Sequence, residues 1–244
     1  MMGNIFESII RNPVPAPPRG IICGSAGVGK STFAGSAKDA LIVDCENGIG
    51  SLQCQRTPFL ETWDQISEWL NALEKNEHGY KVVAIDTIDW LIRRMEEHVN
   101  GHQLTQTLMK SHGGYGSGKM VLKNYVYQIL LPLLNRIGNR GIVVVLLAHV
   151  KRTEITDVDG IVVEKTTPDL PPDLLNTFVE WADFVCLAKL QPDGKRILVT
   201  GSEANDRALV KNRYSLSPVI DLTWSAFMSS VAAGLSEKFN KKEN

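Results

Sequence analysis

Residues 20–31 read GIICGSAGVGKS, a short apolar run followed by spaced glycines and ending in Lys30 and Ser31. From Gly24 to Ser31 every position fits G-x-x-x-x-G-K-[ST], with a buried-strand pattern before it and a helical pattern, STFAGSAKDA, after it. That context makes the stretch a phosphate cradle. The backbone N–H groups of Ser25, Ala26, Gly27, Val28 and Gly29 can turn inward on a polyphosphate, and the helix start at Thr32 adds its positive end. Lys30 can reach the β- and γ-phosphates and Ser31 can ligate Mg²⁺, so the implied ligands are ATP and Mg²⁺.

Downstream, short apolar runs alternate with helical patterns. ALIVDC (40–45) precedes a helix over Thr62 to Glu74, and KVVAID (81–86) precedes helices near 88–99 and 120–137. GIVVVLLAH (141–149), FVCLAKL (184–190) and RILVTG (196–201) follow. The first four runs are apolar throughout rather than at alternate positions, which implies burial on both faces and hence a parallel sheet covered by helices. The expected fold class is α/β, a mostly parallel doubly wound sheet with a C-terminal antiparallel hairpin extension. The Asp-Gly step in QPDGK marks that hairpin, and RALVKNRY (207–214) is expected to add a third strand to it.

Three parts are expected: an N-terminal arm and proline linker (1–18), the core (19–232) and a polar, fraying tail (233–244). The four prolines of NPVPAPPRG (12–20) forbid a continuing helix. Before them, Phe6, Ile9 and Ile10 fall at helical spacing and can dock on this domain or on a neighbouring subunit.

With 244 residues, 43% hydrophobic and 22% charged, the chain can bury a substantial core. A formal net charge of −1 gives no overall attraction to nucleic acid or to an anionic membrane, so a polyanion would need a local basic surface. The four cysteines have no C-x-x-C pairing, the start MMGNIFESIIRN lacks a signal-peptide layout, and no run approaches the roughly 20 apolar residues of a membrane span. A reducing cytoplasm and no membrane partner are expected.

Chemistry concentrates at the strand ends. KVVAIDTIDWL (81–91) delivers Asp86 to the carboxyl edge of the sheet, where it can hold Mg²⁺ beside Ser31. The next residue is Thr87, where many P-loop ATPases place the glutamate that activates water, so another strand must supply the base or hydrolysis must be slow. LIVDCENG (41–48) offers Glu46, on the expectation that its strand lies beside the cradle strand. Asp44, two residues earlier and deeper, reads as the structural acid; Glu46 can also simply cap the next helix. A second string, GGYGSGKM (113–120), imitates the cradle, but Met120 replaces the metal-binding hydroxyl and no buried strand precedes it. Its surroundings, Lys110, His112, Tyr115 and Lys119, have the cations and ring that bind a single strand, or they form a surface loop without a task.

Taken together these residues resemble the RecA-type ATPase pattern: an acid-x-Glu after the first strand's helix, IDTIDWL as the second motif, and a polar residue, His149, ending VVVLLAH. Lys211-Asn212-Arg213 resembles the Lys-x-Lys with which RecA reaches the γ-phosphate held by an adjacent protomer. The resemblance implies Glu46 as catalytic base, His149 as γ-phosphate sensor, and Lys211 with Arg213 acting across an interface of a ring or filament. It also implies two DNA-lining loops, one near 110–119 and one beginning at Lys151 and Arg152; the second stretch here is partly acidic and carries Pro168, Pro171 and Pro172. In size and in HVK and VKNRY the chain is similar to small phage RecA-like AAA-family ATPases of the single-strand annealing group. That group implies single-stranded DNA binding, annealing of complementary strands, cooperation with a single-strand-binding protein, and residence in the host cytoplasm. Two other classes stay open. A P-loop kinase would need a lid with clustered arginines, for which only Arg93-Arg94 is available, and an ATP-gated accessory factor would bind ATP with little turnover.

Overall fold

The computed structural model describes Ile9 and residues 15–102, 107–156, 159–203 and 205–240; Phe6, Ile10 and the last four residues of the expected tail lie outside the described residues. The cradle strand β1 (Arg19–Gly24) is followed by α1 (Lys30–Gly35), β2 (Ala40–Asp44), α2 (Trp63–Lys75), β3 (Val82–Asp86) and α3 (Ile88–Val99). Next come α4 (Ser117–Tyr125) and α5 (Leu131–Asn139), joined through a π-helical turn at Val126–Leu130, and then β4 (Val143–Ala148). The second half holds β5 (Val150–Thr156), β6 (Val162–Pro168), α6 (Pro172–Trp181), β7 (Phe184–Leu190), β8 (Arg196–Val199), β9 (Lys211–Asn212), β10 (Val219–Asp221) and α7 (Trp224–Asn240).

The main sheet has the order β10-β8-β7-β1-β4-β3-β2. From β2 to β7 neighbouring strands run parallel, whereas β8 and β10 add antiparallel at the β7 edge. Helices cover both faces, as the unbroken apolar runs required. Ile21, Val43, Ile85 and Leu146 pack toward α2, α3, α5 and α6. Their sequence neighbours Ile22, Ile42, Ala84 and Leu147 pack toward α1 and α7. The sequence places the start of α2 well: Thr62 accepts from Gln65 N–H at 3.3 Å while Gln65 accepts in return from Thr62 N–H, a reciprocal cap that stops the backbone donors going unpaired.

Several expectations change. Strand β2 is not beside β1; β4 and β3 stand between them, since β3 pairs with β2 and β4 then enters between β3 and the cradle strand. RALVKNRY does not prolong the β7–β8 hairpin. Ala208 bridges Thr166 of β6, and Lys211-Asn212 pair with Val185 and Phe184 at the start of β7. The stretch after His149 is not a loop but an antiparallel ribbon, β5–β6, leading into α6. Pro168 ends β6, Pro171 caps α6 and Pro172 occupies its first turn, where a missing N–H costs nothing. The 232/233 boundary falls inside α7, which is held to α1 by rings: Phe227 lies 5.8 Å from Phe33 and 4.9 Å from Phe184. Gly234 of that helix lies against the Tyr214–Ser215 backbone, so this side of the supposed tail is packed.

Candidate nucleotide site

The cradle sits at the carboxyl end of β1. Gly27 has φ 75° and Gly29 φ 107°, in the left-handed region that side-chain-bearing residues avoid, so these two glycines are needed for the loop's shape. Lys30 is buried and donates to the carbonyls of Gly24 (2.9 Å) and Ser25 (3.1 Å), folding back along the loop it must serve. Burial lowers its pKa, against the upward pull of Asp86, Glu46 and Asp89.

Asp86 ends β3 and is 4% exposed. Burial pushes its carboxyl up to about 6, opposed by the neighbouring Ser31 hydroxyl and assisted by the charge of Glu46. Its Oδ2 is buried without a hydrogen-bond partner. A buried carboxylate oxygen without a hydrogen-bond partner, next to a hydroxyl, suits a hard cation shared with phosphate oxygens. Ser31 and Asp86, whose side chains meet, could hold Mg²⁺ jointly with the nucleotide.

Glu46 reaches the same cleft by a turn rather than by strand adjacency. The buried Asp44 accepts from the backbone N–H of Glu46 (3.2 Å) and of Asn47 (2.7 Å), and its own N–H donates to Thr57 Oγ1 (3.0 Å). This Asx-type turn bends the chain after β2, sends Cys45 into the core and leaves Glu46 lining a cleft of about 430 Å³ with Lys30, Ser31, Asp86 and His149. All five were singled out from the sequence.

Asp89 was not. It lies in the first turn of α3, 4% exposed, and pins His149 twice: it accepts from the His149 backbone N–H at 3.0 Å and faces His149 Nδ1 at 2.8 Å. His149 Nε2 in turn lies 3.6 Å from Glu46 Oε1. The Asp89 hydrogen bond raises the pKa of His149 despite the opposing effect of burial. Burial pulls the pKa of Asp89 upward, but the two bonds with His149, the His149 charge and the Thr87 hydroxyl together hold Asp89 below its ordinary value. The only sequence signal was a second aspartate three residues after Asp86; nothing tied it to a histidine 60 residues away.

The sign of the pH dependence follows. A histidine whose folded pKa is raised contributes stability that is full below its unfolded value, near 6.5, and lost as pH rises through the higher folded value. Asp89→Asn is expected to bring the His149 imidazole titration, followed by NMR, back toward that ordinary value. It should cost about 2 kcal/mol at pH 6 and flatten the fall of stability with pH above 6.5. An unmoved imidazole titration would count against the pairing.

Lys211 and Arg213 are elsewhere. Lys211 pairs with Val185, which is level with Ile21, whereas the cradle begins beyond Gly24, three residues or roughly 10 Å further along β1 and across β7. Lys211 Nζ donates to the carbonyls of Val179 (2.6 Å) and Glu180 (3.1 Å) at the end of α6, and Arg213 lies 3.4 Å from Asp183. Neither approaches the cleft of its own chain.

The sequence-selected DNA residues fall in two groups beside one segment. Lys110 and His112 are exposed, Tyr115 is fully so, and the glycine-rich turn opens α4, whose Lys119 lies 3.8 Å from Asp173. On β5, Lys151 lies 3.5 Å from Asp169 and bonds to the Leu170 carbonyl, while Arg152 lies 3.2 Å from Glu164. The 169–173 segment thus stands between the groups and carries acids paired with both.

The AAA domain family model matches residues 16–214, which include the cradle, Glu46, Asp86, Asp89, His149 and the Lys211–Arg213 segment. The chain belongs to the AAA domain family. No curated protein matches this AAA domain. Among solved structures, the crystal structure of the RadB recombinase is similar at 13% identity with a TM-score of 0.46, over 86% of this chain and 90% of that one, a likeness of fold alone. Among the described residues of this AAA domain, no helix is long and apolar enough to cross a membrane.

Proposed function

We propose that this AAA domain hydrolyses ATP in a RecA-like manner, that it assembles with copies of itself, and that it binds single-stranded DNA to promote annealing of complementary strands. The observation that carries the hydrolytic part is the meeting of Glu46, Lys30, Asp86 and His149 in one cleft, although their strands are far apart in sequence. Mg²⁺, when bound, screens the phosphate charge. The chain's own groups do the rest. The cradle and Lys30 bind the triphosphate, Glu46 takes a proton from the attacking water, and His149, held by Asp89, presents Nε2 to the terminal phosphate.

Assembly rests on the position of Lys211 and Arg213, which lie away from the cleft of their own chain and would serve a neighbour's nucleotide. A planar guanidinium is suited to that task. DNA binding rests on the bare Tyr115 ring on a glycine-rich turn with lysines on either side. Annealing, a phage recombination setting and a single-strand-binding partner rest on the sequence resemblance.

The test is ATPase rate against protein concentration, with and without single-stranded DNA, in a salt series. Activity per molecule should rise steeply with concentration. If Lys110, Lys119, Lys151 and Arg152 all reach phosphates, DNA affinity should fall roughly fifty-fold for a fourfold rise in salt. One observation favours a second reading: Lys211 and Arg213 are bonded within their own chain. In an ATP-gated interaction protein they would stay there, with little turnover and no response to DNA or concentration.

A further inference from the structure

The chain contains two Asn-Gly steps, Asn47-Gly48 and Asn100-Gly101, and the fold treats them differently. An asparagine followed by glycine can react with its own backbone, because no side chain on the next residue shields the amide nitrogen. Asn47 and Gly48 are both exposed, in the irregular stretch between β2 and α2. Asn47 has φ 64°, a left-handed conformation that asparagine tolerates better than most residues. Its backbone N–H is committed to Asp44 at 2.7 Å, but the Gly48 N–H and the Asn47 side-chain amide have no partner among the described residues. The second step is closed. The Gly101 N–H donates to the His98 carbonyl at 3.0 Å, and Asn100 Oδ1 is buried just past the end of α3.

We infer that the Asn47-Gly48 step is a self-modification site that disables the nucleotide cleft. Solvent base removes the Gly48 amide proton, and the nitrogen attacks Asn47 Cγ. As the N–Cγ bond forms, the Cγ–Nδ2 bond breaks and the side-chain nitrogen leaves as ammonia. Water then opens the resulting succinimide. Attack at Cγ breaks the new bond and leaves an ordinary aspartate. Attack at the backbone carbonyl carbon of residue 47 breaks the original peptide bond and leaves isoaspartate, with the chain now running through Cβ and Cγ. Water is consumed and ammonia released, and nothing is oxidised or reduced.

Isoaspartate puts an extra methylene into the chain between two fixed points. On one side Asp44 holds the N–H groups of Glu46 and Asn47; on the other Ile49 is 4% exposed in the core, its carbonyl bonded to Arg56. Glu46 and Gly48 both line the cleft, so the added length falls on the group proposed to activate water. This consequence rests on the proposal that the cleft hydrolyses ATP; the chemical step does not.

The test is to age the full chain at mildly alkaline pH and to measure isoaspartate at both steps, by peptide mass spectrometry and enzymatic methylation, beside ATP turnover. Residue 47 is expected to convert faster than residue 100 by roughly five- to tenfold, the factor that one N–H hydrogen bond is worth. Turnover of the converted fraction should fall roughly hundredfold, the scale of a catalytic group displaced by about 1 Å. Gly48→Ala, whose methyl would meet Glu46 no nearer than 3.7 Å, should slow conversion at residue 47 and leave residue 100 as it was. Asn47→Asp adds the charge without lengthening the chain and should stay within about fivefold of the parental turnover. Equal conversion at the two steps, or faster conversion at residue 100, overturns the site. Conversion at residue 47 without loss of turnover, or an Asn47→Asp variant as slow as the aged protein, overturns the lengthening account. Unaged protein with no ATPase activity defeats the hydrolytic proposal, and the isoaspartate ratio still decides the site.

Discussion

Glu46→Gln is expected to lower ATP turnover by roughly 10²- to 10⁴-fold while leaving ATP binding intact. Glutamine keeps the shape of the side chain and its place opposite His149, but it cannot accept a proton from water. The turn that aims residue 46 should survive, because Asp44 holds it through the backbone N–H groups of Glu46 and Asn47 and not through the carboxylate. Removing one negative charge near Lys30 and the terminal phosphate should, if anything, tighten binding. The measurement is single-turnover hydrolysis beside equilibrium ATP binding. A parental rate would remove Glu46 as base and leave the Asp89–His149 pair as the group nearest the water.

Asp86→Asn is expected to move stability in opposite directions with and without nucleotide. Burial first, then the charges of Glu46 and Asp44, raise Asp86 from 3.8 to about 6. A raised carboxyl contributes stability that is full below its unfolded pKa and lost as pH rises through about 6. At pH 7.5 the ligand-free protein therefore carries the whole cost of an ionised, unpartnered buried oxygen. That two-unit shift, the opposing Ser31 contact included, corresponds to about 3 kcal/mol. Asparagine removes the charge, so the ligand-free variant should melt higher by roughly 6–12 °C at pH 7.5 and show no gain at pH 4. With MgATP at a thousandfold excess over Kd the order should reverse, because the variant loses the cation contact and with it up to about 4 kcal/mol of ligand stabilisation. Calorimetric melts at both pH values, with and without MgATP, check both halves. A ligand-free variant that melts lower at pH 7.5 would contradict the charge-burial account.

Much of the site was legible because each of its motifs is a local pattern with a mechanical cause. The spaced glycines of GSAGVGKS and the unbroken apolar runs before Asp44, Asp86 and His149 all act within a few residues of themselves. What was missed depends on distant partners. The end of helix α7, from residue 233, was read as a tail because the Phe33, Phe184 and Phe227 rings that hold the helix are scattered over the chain. The β5–β6 ribbon was read as a loop because its prolines and mixed charges hid the alternation of VKRTEIT, which only pairing with β6 turns into a ladder.

The sequence by itself determined the α/β class, the glycine loop after β1 and the place of Asp86 at the end of a buried strand, because glycine dihedrals and two-sided burial leave few other outcomes for those residues. Tertiary structure alone decided how Glu46 reaches the cleft, since β2 lies two strands further from β1 than expected and only the Asp44 turn carries the side chain across. It also decided that Asp89 governs His149, and that Lys211 sits at the far end of the sheet from its own cradle. Those outcomes turn on strand order and register, which come from how the helices pack on the two faces and leave no trace in any one segment.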